Sequence, residues 1–288
     1  MSKLAEPPVE VADGYRAGRT LPFRVELVRQ LKRRRTMVMG GVLFALPIIL
    51  LIAFQVGGDP GGNNNRVNLM DTATASGANF AAVNLFSGAG FLLVIPVALF
   101  CGDTVASEAS WSSLRYLLAA PVPRARLLWS KLAVGLTLSL AALVLLPVVA
   151  LIVGTAAYGW GPLQLPTGGT LPTGTAAQRL LIVVVYIMVS QLVTAALAFW
   201  LSTRTDAPLG AVGGAVFLTI IGSVLDEVTA LGDWRHFLPA HWQYAWLDAV
   251  RPQLEWSDMI QGTSISVTYA LVLFALAFRG FARKDVVS

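Results

Sequence analysis

The stretch LAVGLTLSLAALVLLPVVALIVGTAA, residues 132–157, contains no charged side chain. It is longer than the roughly 20 apolar residues that an α-helix needs to cross a bilayer. The whole chain shares this character, since 56% of its 288 residues are hydrophobic and 13% are charged. Because soluble domains carry about 25% charged residues, the composition predicts an all-α integral membrane protein.

The sequence predicts six transmembrane helices. Their ranges are 36–56, 79–101, 132–157, 180–202, 209–225 and 265–282. The fifth range is the shortest, and the acidic residues Asp226 and Glu227 follow it directly. We expect one membrane domain over residues 36–288, preceded by a cytoplasmic tail and an interfacial helix over residues 1–35.

Lysine and arginine are distributed unevenly between the two sides of these spans. Of the 21 basic residues, all but four lie before the first span, between the second and third, between the fourth and fifth, or at the C-terminal end of the sixth. The four exceptions are Arg66, Arg179, Arg235 and Arg251. Because segments rich in Lys and Arg stay on the cytoplasmic side, we expect both termini in the cytoplasm and the protein in the cell inner or plasma membrane.

A repeating apolar pattern precedes the first span. Phe23, Leu27 and Leu31 recur every four residues, and basic side chains occupy the other directions. This spacing predicts an amphipathic helix that lies on the cytoplasmic leaflet. The alternative interpretation is that the basic residues 32–35 form only a charged flank of the first span.

A polar segment, residues 102–132, separates the second and third spans. On a helix from about Thr104 to Leu118, one stripe is apolar and contains Trp111, Leu114 and Leu118, whereas the adjacent stripe is polar. The polar stripe consists of Glu108, Ser112 and Arg115. Pro121 and Pro123 end the helix, and Lys131 is expected near the lipid head groups. The segment is either a solvated connector or a docking helix for a polar partner.

The same segment resembles a pattern found in ABC-2 type exporter permeases. Glu108 is followed by WSSLRYLLAAPVPRARLLWSKL, residues 111–132, with an acidic residue before a helix, a Pro-Val-x-Arg turn, a Leu-Leu pair and a lysine that opens the third span. The six-span layout, the basic N-terminal helix and the C-terminal FRGFARKDV, residues 278–286, are also similar to that family.

The resemblance implies that the polar segment is a coupling helix. It would dock on a separate ABC ATPase subunit through Glu108, Ser112 and Arg115. ATP and Mg would be bound by that partner, because no G-x-x-x-x-G-K-[ST] motif occurs in this chain. We therefore expect no enzymatic activity of the chain itself and a pairing with a second permease chain, identical or different.

The resemblance also implies a translocation pathway between spans two and five, with Asn84, Phe91 and Phe217 as candidate lining residues. Packing of these residues within one subunit is the alternative. No Asp, Glu, Lys or Arg lies fully within the membrane, since Arg279 is at the C-terminal end of the sixth span, and this favours a hydrophobic or amphipathic substrate over an ion. Pro47, Pro96 and Pro147 lie within spans one to three and favour bends there.

The segment before the last span is rich in aromatic residues, which favour the boundary between water and lipid. It contains Trp234, Trp242, Tyr244, Trp246 and Trp256. Short re-entrant or interfacial helices are expected here on the outer side. His236 and His241 match no closed metal-ligand spacing, so no metal site is predicted, and the basic residues beside apolar spans indicate lipid contact rather than nucleic acid.

Two functions remain open from the sequence. The first is the permease subunit of an ATP-driven exporter. The alternative is a partner-independent secondary carrier, or a structural or sensory membrane subunit. Carriers usually place charges or broken helices near the middle of the bilayer, where this sequence offers only prolines.

Overall fold

A computed structural model describes residues 23–57, 69–110 and 123–283. Within these ranges the chain forms nine α-helices: α1 (Phe23–Leu31), α2 (Arg34–Gly57), α3 (Gly77–Ala89), α4 (Val94–Ser110), α5 (Arg124–Tyr158), α6 (Thr173–Ser190), α7 (Leu192–Arg204), α8 (Pro208–Asp226) and α9 (Ser257–Ala282). The prediction of an all-α chain is confirmed.

Five helical segments are long and apolar enough to cross a membrane: α2, α5, α6 together with α7, α8 and α9. A sixth segment is formed by α3 and α4 if this pair, bent by 52°, is one span. The chain is therefore a multi-pass, membrane-embedded protein with five or six spans in the described residues.

Two of the helices extend well beyond the predicted spans. The helix α5 begins at Arg124 rather than near Leu132, and α9 begins at Ser257 rather than near Ile265. Likewise, Thr104–Ser110 continues α4 and does not start a separate helix. Apolarity marks the part of a helix that suits lipid, but backbone hydrogen bonding continues past it.

The helices α4, α5 and α7 lie at the centre of the bundle. The helix α5 packs against α2, α3 and α4, whereas α7 packs against α4, α8 and α9. Small side chains allow this close approach. A Cβ atom on Gly135 of α5 would lie 3.0 Å from the carbonyl oxygen of Phe100 in α4. Across the other interface, the Ser202 hydroxyl accepts hydrogen bonds from the backbone N–H groups of Val105 and Ala106.

The second predicted span is broken at residues 90–93, between α3 and α4. Gly90 leaves room for Tyr244, whose hydroxyl oxygen would lie 2.4 Å from a Cβ at that position. Pro96 lies in the first turn of α4, where a missing N–H breaks no helical hydrogen bond. Pro47 and Pro147, by contrast, lie inside the single helices α2 and α5.

Short elements connect the helices at the end opposite to α1. A hairpin of β1 (Leu163–Gln164) and β2 (Thr170–Leu171) pairs Leu163 with Leu171 in antiparallel register. Three consecutive 3-10 helices precede α9, namely Thr229–Phe237, Pro239–Trp242 and Ala245–Val250. They occupy the place predicted for interfacial helices, and their depth in the bilayer stays a prediction.

Candidate functional site

A buried group of charged side chains lies where α1, α4 and α5 meet. The Nζ atom of Lys131 on α5 donates to Glu26 Oε1 on α1 at 2.7 Å and to Glu108 Oε1 on α4 at 2.9 Å. Glu108 is 5% exposed and Lys131 is 4% exposed. One ammonium group therefore joins three helices in the interior of the protein.

Arg29 completes what we call the charge network: Glu26, Arg29, Glu108 and Lys131. Its Nη2 atom donates to Glu26 Oε1 at 3.1 Å and also to Glu108 Oε1. Gln30 Nε2 adds a further hydrogen bond to Glu26 at 3.1 Å. The network contains two carboxylates and two cations. Their mutual attraction offsets the free-energy cost of removing these charges from water.

The network shifts the ionisation of its members on α1. Burial raises the pKa of Glu26, but the attraction and hydrogen bond of Lys131, together with Arg29, outweigh burial and leave this pKa below its ordinary value. Burial opposes ionisation of Arg29, but the hydrogen bond to Glu108 and the attraction of both carboxylates leave its pKa above the ordinary value. Both groups are therefore charged at neutral pH.

A second cluster of charges holds the junction of α1 and α2 against α4. Arg33 Nη1 donates to Asp103 Oδ2 at 2.7 Å, and Arg35 donates to Asp103 Oδ1. The hydroxyl of Thr36 also donates to the carbonyl oxygen of Gln30 at 2.8 Å. The basic flank of the first span is thus partly structural, because two of its arginines bind a buried aspartate.

The structure gives the surroundings of two predicted features at this end of the molecule. Lys131 is buried, and its ammonium group contacts the carboxylates of Glu26 and Glu108, while its depth in the bilayer stays a prediction. The helix α1 is amphipathic as predicted, and its polar face points inward, with Glu26 and Gln30 buried while Phe23 and Leu31 are exposed. Acidic side chains within strongly basic segments are the sequence signal that could have indicated this burial.

The predicted ATPase contact falls mostly outside the described residues. Ser112 and Arg115 lie there, as do Trp111, Leu114 and Leu118. Glu108, two residues before the end of α4, is hydrogen-bonded to Arg29 and Lys131. Its contact with a partner subunit stays a prediction, but its position next to the predicted docking segment is clear.

The three predicted pathway residues differ in their exposure. Asn84 on α3 is fully buried, and its Nδ2 donates to the carbonyl oxygen of Phe80 at 2.8 Å. Phe91, in the break between α3 and α4, is half exposed, and Phe217 on α8 is 62% exposed. The oxygen Asn84 Oδ1 is buried without a hydrogen-bond partner.

A cavity of about 320 Å³ lies on the side of the bundle where two helix junctions meet. It is enclosed by α4, α8, α9 and the junction of α6 with α7, with the 3-10 helix Pro239–Trp242 at one end. Most of the lining is apolar. The polar lining residues carry no formal charge: Ser190, Gln191, Thr194, Thr219, Gln243 and Tyr269.

Gln191 connects the two helix junctions beside this cavity. It separates α6 from α7, and its Nε2 donates to the carbonyl oxygen of Ala89, the last residue of α3, at 3.4 Å. Its Oε1 atom is buried and has no hydrogen-bond partner among the described residues. A broken span and an amide with spare acceptor capacity therefore adjoin the same cavity.

The three 3-10 helices before α9 are hydrogen-bonded to the ends of the spans around the cavity. The Tyr186 hydroxyl on α6 donates to the carbonyl oxygen of Trp242 at 2.6 Å. Trp242 Nε1 in turn donates to the carbonyl oxygen of His236, and His241 Nδ1 lies 2.6 Å from Asp226 Oδ1 at the end of α8. Within the described ranges, no group of three or more His, Cys, Asp or Glu residues is arranged to hold a metal ion.

The fold and the buried charges define a helical, multi-pass membrane protein. The chain belongs to the family described as protein of unknown function DUF2705, whose family profile matches residues 43–287. The match includes Glu108 and Lys131 and excludes Glu26 and Arg29. No curated protein matches the sequence.

Proposed function

We propose that this chain is the membrane-spanning permease subunit of an ATP-driven exporter of the ABC-2 type. A separate ATPase subunit binds ATP and Mg and docks on the segment that follows α4. The observation that carries the proposal is the charge network, because Glu108 lies just before the segment 111–122 and Lys131 lies just after it.

The network suits a segment that transmits force. Glu108 and Lys131 join the two helices that enter and leave the docking segment, and both are held to α1 by Glu26 and Arg29. A displacement of the segment by a partner then moves α4 and α5 together, since packed helices shift as rigid elements. The helix α4 is also the half of the broken span that borders the cavity.

The orientation follows from the basic residues at the network end. Arg24, Arg34, Arg124 and Arg126 lie on α1, α2 and α5 at this end, whereas Arg179, Arg235 and Arg251 lie on segments at the other. By the positive-inside rule, the network and both termini face the cytoplasm of a cell inner or plasma membrane. In this proposed orientation the docking segment is on the side of the membrane where ATP is available.

The substrate is hydrophobic or amphipathic. The cavity at the two helix junctions has a mainly apolar lining with uncharged polar groups, and its volume is at the lower end of the roughly 300–1,000 Å³ range of ligand sites. The helices α2 and α8 present apolar side chains outward, including Ile49 and Phe217. These faces suit lipid and a second permease chain, identical or different.

A secondary carrier is the second candidate, and the broken span favours it. Carriers bind substrates beside discontinuous helices, and α3 and α4 meet at 52° next to the cavity. Against it, the cavity lining contains no ionisable carboxylate or basic group that could couple transport to a proton or cation.

The two candidates differ in their need for a nucleotide-hydrolysing partner. The test is affinity purification of the chain from its native membrane, followed by efflux of lipophilic fluorescent dyes from proteoliposomes with and without ATP. We expect an ATPase subunit to co-purify and efflux to require hydrolysable ATP. Efflux that is driven by an ion gradient, with no ATPase present, would contradict the exporter proposal and support the secondary carrier.

A further inference from the structure

A second cavity, of about 550 Å³, lies between the C-terminal ends of α7 and α9. We call it the arginine cleft. Its lining residues are Thr203, Arg204, Leu276, Arg279, Gly280 and Arg283. Three guanidinium groups from two helices therefore surround one space.

Arg204 has a defined position in the arginine cleft. Its guanidinium carbon lies 5.7 Å from the centre of the Trp200 ring. The guanidinium also packs over Gly280 of α9, where an added Cβ would lie 3.2 Å from both Nε and Nη2. The absence of a side chain at Gly280 is what lets Arg204 approach α9 so closely.

The charges of the arginine cleft are not balanced by acidic groups in the described parts of the chain. The ion pairs found there involve Arg29, Arg33, Arg35 and Arg251, but none involves an arginine of the cleft. The carboxyl ends of α7 and α9 contribute about half a negative charge each, which is less than the three positive charges. The cleft therefore retains a net positive field.

Aromatic residues indicate the depth of the arginine cleft. Trp129 on α5 is 61% exposed and its ring lies 5.0 Å from that of Phe278. Exposed tryptophans favour the boundary between head groups and acyl chains. Arg124 Nη1 reaches the carbonyl oxygen of Ala282 at 3.4 Å, so the cleft is at the same end of the bundle as α1 and the charge network.

We propose that the arginine cleft binds the phosphate head group of an anionic phospholipid from the leaflet on the side of the charge network. Guanidinium groups bind phosphate oxygens through paired, charge-assisted hydrogen bonds. Leu276 lines the same cleft and is exposed, so an acyl chain has an apolar surface directly beside the arginines. Basic pockets between helices at this depth suit lipid phosphates better than soluble anions.

The proposal is tested with the full chain in neutral detergent, by native mass spectrometry during titration with phosphatidylglycerol, phosphatidylcholine or inorganic phosphate. We expect saturable binding of phosphatidylglycerol alone. The double variant Arg279→Gln/Arg283→Gln should bind it about tenfold more weakly, as expected when charge-assisted hydrogen bonds are lost.

Two further variants distinguish binding at the arginine cleft from non-specific attraction of the lipid by positive charge. Gly280→Ala leaves every charge in place but displaces Arg204, and should also weaken binding of phosphatidylglycerol. Arg24→Gln removes an exposed basic residue of α1 at the same end of the bundle, and should leave binding unchanged. Equal weakening by Arg24→Gln, or no effect of Gly280→Ala, would overturn the proposal.

The remaining outcomes also contradict the lipid site. Binding of inorganic phosphate as tight as that of phosphatidylglycerol would indicate a site for free anions. Loss of a co-purified protein from the double variant, with unchanged lipid binding, would indicate a protein contact. Because no ATPase or transport assay is involved, these outcomes are independent of the exporter proposal.

Discussion

Lys131 Nζ lies 2.9 Å from Glu108 Oε1, joining the C-terminal end of α4 to the N-terminal part of α5 inside the protein. The residues between them include the stretch 111–122, and it is the sequence of this stretch that resembles a coupling helix. The same ammonium group bonds to Glu26, so the N-terminal helix is part of the connection. The buried ammonium group of Lys131 therefore joins α1, α4 and α5, the helices that a docked ATPase would move.

Replacement of this cation should strongly destabilise the fold. Lys131→Met keeps an unbranched side chain but removes the buried cation that contacts the carboxylates of both Glu26 and Glu108. Breaking a buried pair from one side costs about 3–5 kcal/mol in the free energy of unfolding. Chemical denaturation in detergent measures the loss, and Lys32→Met, at an exposed position between α1 and α2, serves as the control. Similar losses for both variants would show that the network does not stabilise the fold.

Acidification should weaken the attachment of α1. The pKa of Glu26 in the folded protein is lower than its ordinary value of 4.5, despite burial, because of Lys131 and Arg29. The ionised carboxylate thus contributes stability above pH 4.5, and this contribution is lost as the pH falls through the lower folded-state pKa. Unfolding temperatures measured across this acidic range should fall less steeply for Glu26→Gln than for the natural chain. Parallel curves would contradict the role of Glu26.

Close packing of α4 on α5 should depend on Gly135. A Cβ there would lie 3.0 Å from Phe100 O and 3.3 Å from Cys101 Sγ, so Gly135→Ala forces the helices apart. Overpacking of this kind costs about 1–3 kcal/mol. Gly213→Ala on α8 is the matched control, because its added methyl group would meet no atom within 4 Å. The unfolding temperatures of the two variants are compared directly. If Gly135→Ala is as stable as the control, α4 and α5 do not depend on close packing at Gly135.

Gln191 should matter more for the substrate than for folding. Its hydrogen bond to Ala89 is long, at 3.4 Å, and its Oε1 is buried without a partner, so Gln191→Leu should change the free energy of unfolding by less than about 1 kcal/mol. Dye efflux should nevertheless fall, because the cavity loses the amide, one of its buried polar groups. Val193→Leu enlarges another lining side chain and controls for shape. If Gln191→Leu transports the dye as fast as the natural chain does, Gln191 is not part of the substrate site.

Long apolar runs made the helices predictable. In lipid, the backbone of an apolar run such as residues 132–157 must form its hydrogen bonds within the segment. Its helix therefore follows from composition alone. The break at residues 90–93 did not follow in the same way, because it depends on Tyr244 approaching Gly90 from a distant part of the sequence. Pro96, the residue that suggested a bend, lies in the first turn after the break.

The charge network was only partly predictable. Glu108 was identified through a resemblance, but its pairing with Lys131 and Arg29 joins residues that are far apart along the chain. Sequence patterns report the faces of single helices, and α1 showed an apolar stripe without indicating what its polar face would contact. Such pairings arise from tertiary packing, which no local pattern encodes.

The central claim is that the segment after α4 docks on a separate ATPase, and cysteine cross-linking tests it most directly. The single natural cysteine, Cys101, is buried, so an introduced cysteine reacts with little background. Ser112→Cys or Arg115→Cys, labelled with a maleimide–diazirine reagent and illuminated in native membranes, should form a covalent adduct with a nucleotide-hydrolysing protein, because the maleimide bonds to the introduced thiol and the photolysed diazirine inserts into the nearest partner atoms. Ser257→Cys at the opposite end should form none. Absence of an ATPase adduct at both positions, although each cysteine is labelled by a soluble maleimide, would contradict the exporter proposal.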